Sequence, residues 1–260
     1  MSDLVITEDR GHVRHVVLNR PDKRNAFDGE LVLATGAALR AAADDPNVWV
    51  VVVRGAGKVF SAGMDVAALA GAATEVERLR AFRRDALAAF NLAEEMTKPV
   101  IAQIHGVCLG GALELALACD MRVLSDDAFV GLPETRLGLV PDVGGSSRLP
   151  QIVGLGRAKE LIMTGRVIGA QDAERIGLAN RVAPAAELDA VTQELVDELL
   201  ACAPVAVGLA KRLMDASARP ALSTTLELEI AAQELCARTE DVREGVQAAA
   251  ERRAPAFKGR

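Results

Sequence analysis

The sequence predicts an α/β protein with a helical C-terminal region, and three observations carry that reading. Short β-branched runs, above all Val48–Arg54 and Val100–Ile104, alternate with helical patterns through the first half. Helical patterns alone fill the last third. Aromatics make up 3% of the residues and Tyr is absent, so the core is built from Ala, Val and Leu, which favours closely packed helices. A length of 260 residues allows one large domain or two small ones.

Taken in order, Val5–Thr7 and Val13–Leu18 read as a hairpin turning at Asp9–Gly11. The polar loop Asn19–Phe27 follows, with three basic residues. It is either a solvated connection or a phosphate contact. Asp28 is a natural N-cap for a helix reaching about Ala43. Val48–Arg54 reads as a strand buried on both faces. It ends in Gly55-Ala56-Gly57-Lys58, which lacks the full phosphate-loop pattern. The small-residue turn Ser61–Asp65 offers free backbone N–H groups, and Thr74 caps an Arg- and Glu-rich helix reaching about Met96. Further strands are expected at Met121–Leu124 and Phe129–Gly131. Helices are expected at Ser146–Val153, Arg157–Thr164, Ala170–Ile176, Glu187–Ala203, Pro204–Ser217, Ala221–Cys236 and Asp241–Arg252. The sharpest composition shift lies near Pro184.

The net charge of −6 and the absence of a long basic run exclude a phosphate-tracking surface, and scarce aromatics argue against base stacking; no nucleic acid is expected. The four cysteines show no CxxC pairing, so all four are expected as reduced core residues of a cytoplasmic protein, without a metal site. The N-terminus lacks an export pattern.

Chemistry concentrates in Val100–Asp120. A β-branched strand breaks at His105-Gly106, Leu109-Gly110-Gly111 forms a tight turn, and an Ala- and Leu-rich helix follows. Gln103, His105, the glycine pair and Glu114 interrupt the run, so it is not a membrane span. Glu114 is the one fully charged residue between Pro99 and Asp120. A carboxylate in an apolar helix is costly unless it is paired or used. The helix N-terminus before it presents unpaired N–H groups that favour negative charge. Glu134 follows another short strand, after Pro133. Two such carboxylates brought together separate their pKa values and can serve as an acid–base pair holding a water.

Phe60–Asp65 (FSAGMD), His105–Asp120 (HGVCLGGALELALACD) and Gly131–Gly145 (GLPETRLGLVPDVGG) closely resemble the crotonase, or enoyl-CoA hydratase/isomerase, family. The likeness extends to the NRPDKRNAF loop, Met163–Arg166, Ala170–Val182 and the AFKG tail. It implies a crotonase spiral of ββα units over residues 1–184, and a C-terminal helical trimerisation region at 185–260. It also implies a homotrimer or homohexamer and an acyl-CoA thioester substrate, with coenzyme A part of the substrate and no separate cofactor. By motif position, the N–H groups of Met64 and Gly111 would hold the thioester oxygen. Family members that hydrate enoyl-CoA carry Glu at both acid–base positions, as here. The implied reaction is syn addition of water to a trans-2-enoyl-CoA, with Glu134 supplying the proton to Cα and Glu114 activating the water.

Asp142 departs from the hydratase pattern, where Gly is usual. Dienoyl-CoA isomerases carry Asp in a similar DVG, so that reaction is an alternative; the residue also fits a helix N-cap ahead of Ser146. A non-catalytic acyl-CoA-binding protein is the alternative from another class. Arg24, Ala26, Ala62, Gly63 and Asp65 match segments that hold CoA. Phe257 and Lys258 match a C-terminal pair that reaches CoA, often from a neighbouring subunit. The Lys expected shortly after Met64 is replaced by Ala67, with Lys58 and the Arg78–Arg84 stretch as either substitutes or solvated surface.

Overall fold

The computed structural model describes residues 3–65, 76–137, 139–218, 240, 241, 244, 251, 253 and 256–260. The chain opens with β1 (Val5–Arg10) and β2 (Val13–Leu18), an antiparallel pair turning at Gly11. Asp28 caps α1 (Gly29–Asp44), its carboxylate accepting from the Leu31 N–H. After β3 (Val50–Gly55) come α2 (Val76–Glu95), β4 (Val100–Ile104), β5 (Val107–Leu109) and α3 (Gly111–Ala118). Then follow β6 (Met121–Ser125), β7 (Phe129–Gly131), a 3₁₀ turn at Glu134–Leu137, α4 (Gly145–Val153) and α5 (Leu155–Thr164). The described order ends with β8 (Val167–Gly169), α6 (Ala170–Arg175), β9 (Arg181–Ala183), α7 (Leu188–Leu200) and α8 (Pro204–Ser217).

Two sheets result. The six-stranded sheet runs β1-β2-β3-β4-β6-β9, parallel from β2 onward. The three-stranded sheet runs β5-β7-β8. The parallel strands read as continuous apolar runs because both faces are covered. On one face, Val16, Leu18, Val51, Val53, Ala102 and Ile104 join a core shared with α1, α2 and α3. On the other, Val50, Val52, Ile101 and Val123 pack under Leu188, Leu195 and Val196 of α7.

The strand and helix expectations hold over most of the described chain, with boundaries shifted by up to three residues. Three short strands were not legible. β5 lies inside the stretch read as a turn, and β8 and β9 interrupt the part expected to be all helix. β7, equally short, was legible, but the pairing of β5, β8 and β9 is decided by neighbours in space. Cys108 and Cys119 are buried free thiols, but Cys202 is exposed at the end of α7, against the expectation of a core position. Cys236, the Thr74 cap, the helix at Ala221–Cys236 and most of that at Asp241–Arg252 lie outside the described residues.

A buried ion pair docks α8 on the core. Lys211 Nζ lies 2.8 Å from Asp120 and donates to the carbonyls of Ala93 and Lys98. At the contact, Gly208 faces Thr97 so closely that an added Cβ would overlap the Thr97 carbonyl oxygen. In an exposed helix Gly→Ala would stabilise by about 1 kcal/mol. Here overpacking wins, so Gly208→Ala should lose about 1–3 kcal/mol in urea unfolding. A gain in stability would show that α8 is not seated this way.

Candidate active site

Two isolated parallel bridges bring the site together: Phe27 with Met64, and Ser61 with Cys108. They place Ser61–Asp65 between the Arg20–Phe27 loop and β5. Phe27 N–H donates to the Gly63 carbonyl, and Asp65 N–H donates to the Phe27 carbonyl. In a parallel bridge this pattern turns the N–H of the intervening residue, Met64, away from Phe27. The neighbouring amides are occupied. Ala62 N–H donates to the Arg24 carbonyl at 2.9 Å, and Gly63 N–H donates to Ser61 Oγ at 3.2 Å. Gly111 opens α3, where the first-turn N–H groups have no intrahelical acceptor.

The approach is tight. A Cβ on Gly63 would overlap the Leu109 carbonyl oxygen, and one on Gly111 would meet Met64 Cε at 2.6 Å. Gly110, at φ 55° and ψ −129°, holds a backbone that L side chains rarely adopt.

Met64, Gly111, Glu114 and Glu134 line one cavity of about 280 Å³, together with Ala62, Gly63, Phe82, Leu109, Leu139, Val140, Asp142 and Val143. Glu114 is 2% exposed. Its Oε1 accepts from the N–H of Val143 at 2.8 Å and of Gly145 at 2.9 Å. Burial pushes its pKa up to about 7; the two amide bonds pull it down, and the charges of Glu134 and Asp142 push it up further. Glu134 sits across Gly110, with Oε1 2.9 Å from where a Cβ would stand. Its Oε2 is buried with no hydrogen-bond partner among the described residues. Burial raises the Glu134 pKa too, its own backbone amide opposes this, and Asp142 adds to it.

The other expected substrate contacts separate. Asp142 reaches the cavity but is held by Arg83, whose Nε lies 2.9 Å from the Asp142 carbonyl and 3.3 Å from its carboxylate. The N-cap expectation for Asp142 fails. Gly144, at φ 107°, caps α4, and no side chain accepts there. Asp65 pairs with Arg20 at 2.8 Å and Arg20 also pairs with Asp28 at 3.0 Å, so this carboxylate braces the loop. Arg24 and Ala26 lie outside the cavity wall among the described residues, Arg24 exposed and Ala26 buried with its carbonyl accepting from Arg20. Phe257 and Lys258 do not line the cavity of their own chain; Lys258 Nζ pairs with Glu240 at 3.1 Å. Arg84 pairs with Asp85.

Sequence reasoning missed Asn25 and Arg20, and met Arg83 only within the Arg78–Arg84 stretch, without its pairing to Asp142. Asn25 is fully buried at φ 53°, with Nδ2 within 2.8–3.1 Å of the carbonyls of Ala56, Val59 and Phe60. It fastens the Arg20–Phe27 loop to the chain entering the Ser61 turn. Its place before Ala-Phe in a polar loop was visible, but the three carbonyls it spans are remote in sequence. Among the described residues no cluster of metal-ligating side chains occurs, and no helix is long and apolar enough to cross a membrane.

The raised Glu114 pKa has a sign. The folded chain binds more protons than the unfolded one between pH 4.5 and about 7, so stability falls as pH rises through that window. Glu114→Gln removes this titration. Its unfolding free energy should drop less than wild type between pH 5 and pH 8, by on the order of 3 kcal/mol. Parallel curves for the two proteins would refute the raised value.

Comparison with known proteins agrees with this geometry. Residues 8–260 match the profile of the family described as enoyl-CoA hydratase/isomerase. The chain is 36% identical to a crotonyl-CoA hydratase of Syntrophomonas wolfei over 97% of each protein. It is 38% identical to a carnitinyl-CoA dehydratase of Proteus mirabilis over the whole of both. The crystal structure of an enoyl-CoA hydratase from Bacillus anthracis superposes with a TM-score of 0.94 at 37% identity, covering 99% of this chain and all of that one. A match that runs along the whole chain, on a fold that gathers the family's motif segments around one cavity, makes this protein a member of the enoyl-CoA hydratase/isomerase, or crotonase, family.

Proposed function

We propose that the protein is an enoyl-CoA hydratase that adds water syn across the 2,3 double bond of a trans-2-enoyl-CoA to give the 3-hydroxyacyl-CoA. The observation that carries this reading is the shared cavity: buried Glu114 and half-buried Glu134 face the same small volume as Met64 and Gly111. The name of the Syntrophomonas relative supports it.

On this reading the thioester oxygen sits between the N–H groups of Met64 and Gly111. Ionised Glu114 takes a proton from water as the oxygen attacks Cβ. The double-bond electrons move toward the thioester oxygen, where the two amides and the positive end of α3 stabilise them. Protonated Glu134 then delivers a proton to Cα. One glutamate gains the proton that the other loses, and exchange with solvent resets the pair. Because only the charged form of one and the neutral form of the other are productive, a raised pair suits neutral pH. The Met64 side chain is not required; its amide is.

Coenzyme A enters as part of the substrate, and the reaction needs no resident cofactor. We assign residues 1–184 to the catalytic spiral and 185–260 to an oligomerisation region of a homotrimer or homohexamer. In such an assembly Phe257 and Lys258 would serve a neighbouring subunit's CoA. The composition fits a cytoplasmic enzyme acting on neither nucleic acid nor membrane.

A second reading is favoured by one observation: Asp142 lines the same cavity. An isomerase of 3,5-dienoyl-CoA would use it as an acid–base group. The engagement of Asp142 by Arg83 through both carbonyl and carboxylate favours a positioning role instead.

Crotonyl-CoA hydration, followed as loss of the conjugated thioester absorbance, tests the first reading. Glu114→Gln and Glu134→Gln should each lower kcat by about 10²–10⁴. Wild-type rates in both variants would overturn the acid–base assignment, and tight binding without turnover would favour a binding protein. Isomerisation of 3,5-dienoyl-CoA that is faster than hydration and abolished by Asp142→Asn would establish the second reading.

A further inference from the structure

Arg148 lies on the first turn of α4, outside every contact assigned above. Its guanidinium is anchored to α2: Nε lies 3.0 Å and Nη2 2.5 Å from Glu94 Oε2, and Nη2 is 2.7 Å from Asn91 Oδ1. Its Nη1 lies 3.4 Å from the Val143 carbonyl. It passes so close beneath Gly144 that an added Cβ there would overlap Nη1. This is the turn whose Val143 and Gly145 amides grip Glu114 Oε1. Pro141 closes the other side: a Cβ on Gly145 would meet Pro141 Cβ at 2.8 Å and Glu114 Oε1 at 3.0 Å. The turn is therefore confined between the guanidinium, the proline and the carboxylate.

We propose that Arg148 is a positioning residue for Glu114: by fastening the Val143–Gly145 turn to α2, its guanidinium fixes the carboxylate that this turn holds. The fork geometry is needed as well as the charge. A guanidinium spans Glu94, Asn91 and the turn at once, whereas an ammonium is a point donor. The side chains on Arg148 and Glu94 are 12% and 23% exposed, so the pair is shielded enough to hold one geometry. The charged groups around Glu114 are Glu134 and Asp142 on neighbouring turns, Arg83 and Glu94 on α2, and Arg148 on α4.

The kinetic part of the test rests on the hydratase reading; the structural part does not. Arg148→Lys keeps the charge and loses the fork. With crotonyl-CoA its kcat should fall about 10²-fold while KM stays within about threefold, the cost of a small displacement at a reacting group. In the Glu114→Gln background the same change should add little, because the effect runs through Glu114. Independently of turnover, the Glu114 carboxyl signal in ¹³C-glutamate-labelled protein should titrate at higher pH in Arg148→Lys, since loosened amides no longer favour the charged form. A loss through charge alone would leave the lysine variant at the wild-type titration. An unchanged Glu114 titration in the folded lysine variant overturns the proposal, as does a full loss of kcat in the Glu114→Gln background. If wild type hydrates no enoyl-CoA, the hydratase reading falls and the titration alone decides the role of Arg148. If the lysine variant fails to fold, Asn91→Ala loosens the same guanidinium and is judged by the same titration.

Discussion

The buried carboxylate of Glu114 is the constraint around which this chain is arranged. An ionised carboxylate stripped of water costs several kcal/mol unless hydrogen bonds replace the solvent. Helix α3 cannot supply them, because its neighbouring side chains are Ala and Leu and its amides beyond the first turn are used within the helix. The two donors come from a turn that follows Glu114 by two strands, a 3₁₀ turn and a loop. That requirement explains Gly144 at φ 107° and Gly145 with no room for a side chain. It also explains why α4 begins there rather than at a side-chain cap. The donors satisfy one oxygen only, so the carboxylate is held in place and still exposed to chemistry on its other oxygen.

The second constraint is the close passage of backbone past backbone. Ser61–Asp65 runs between Phe27 and β5 with isolated bridges on both sides. Gly63 and Gly111 are required because a Cβ at either would strike Leu109 or Met64. Polar side chains outside the cavity wall keep that passage in register. Asn25 spans three carbonyls, and Arg20 joins Asp28 to Asp65. The amide of Met64 is thus aimed by residues that never touch the cavity. A single buried hydrogen bond contributes about 1 kcal/mol net, so the precision comes from several such ties acting on one short segment.

What the sequence disclosed depended on how local the cause was. The long elements were legible because their cause is periodic and local: β-branched runs in β3 and β4, the Asp28 cap of α1, the Ala- and Leu-rich α3. Glu114 stood out because charge inside an apolar helix is anomalous on its face. The short strands β5, β8 and β9 were hidden, since their pairing is set by neighbours distant in the chain. The same limit hid the partners of Glu114, the span of Asn25 and the pairing of Asp142 with Arg83. Asp142 is instructive: next to a glycine pair it reads as a cap, yet the left-handed Gly144 takes that position and frees the aspartate to face Arg83. Asp65 adds a second case: the carboxylate beside the Met64 amide pairs with Arg20, a partner remote in sequence.

The unequal support of the two glutamates bears on how labour divides between them in the proposed reaction. Glu114 has one oxygen fixed by two main-chain donors, which favour the charged form and lower its pKa against burial. Glu134 has a buried oxygen with no partner among the described residues, and burial is the first cause of its raised pKa. Two amide bonds oppose the rise that burial causes at Glu114, and its own backbone amide opposes it at Glu134. In the proposed reaction Glu134 begins as the acid and Glu114 as the base, and burial raises both pKa values, that of Glu114 to about 7. The asymmetry is made by backbone amides and burial rather than by residue type, which is how two chemically identical side chains can take opposite parts in one step.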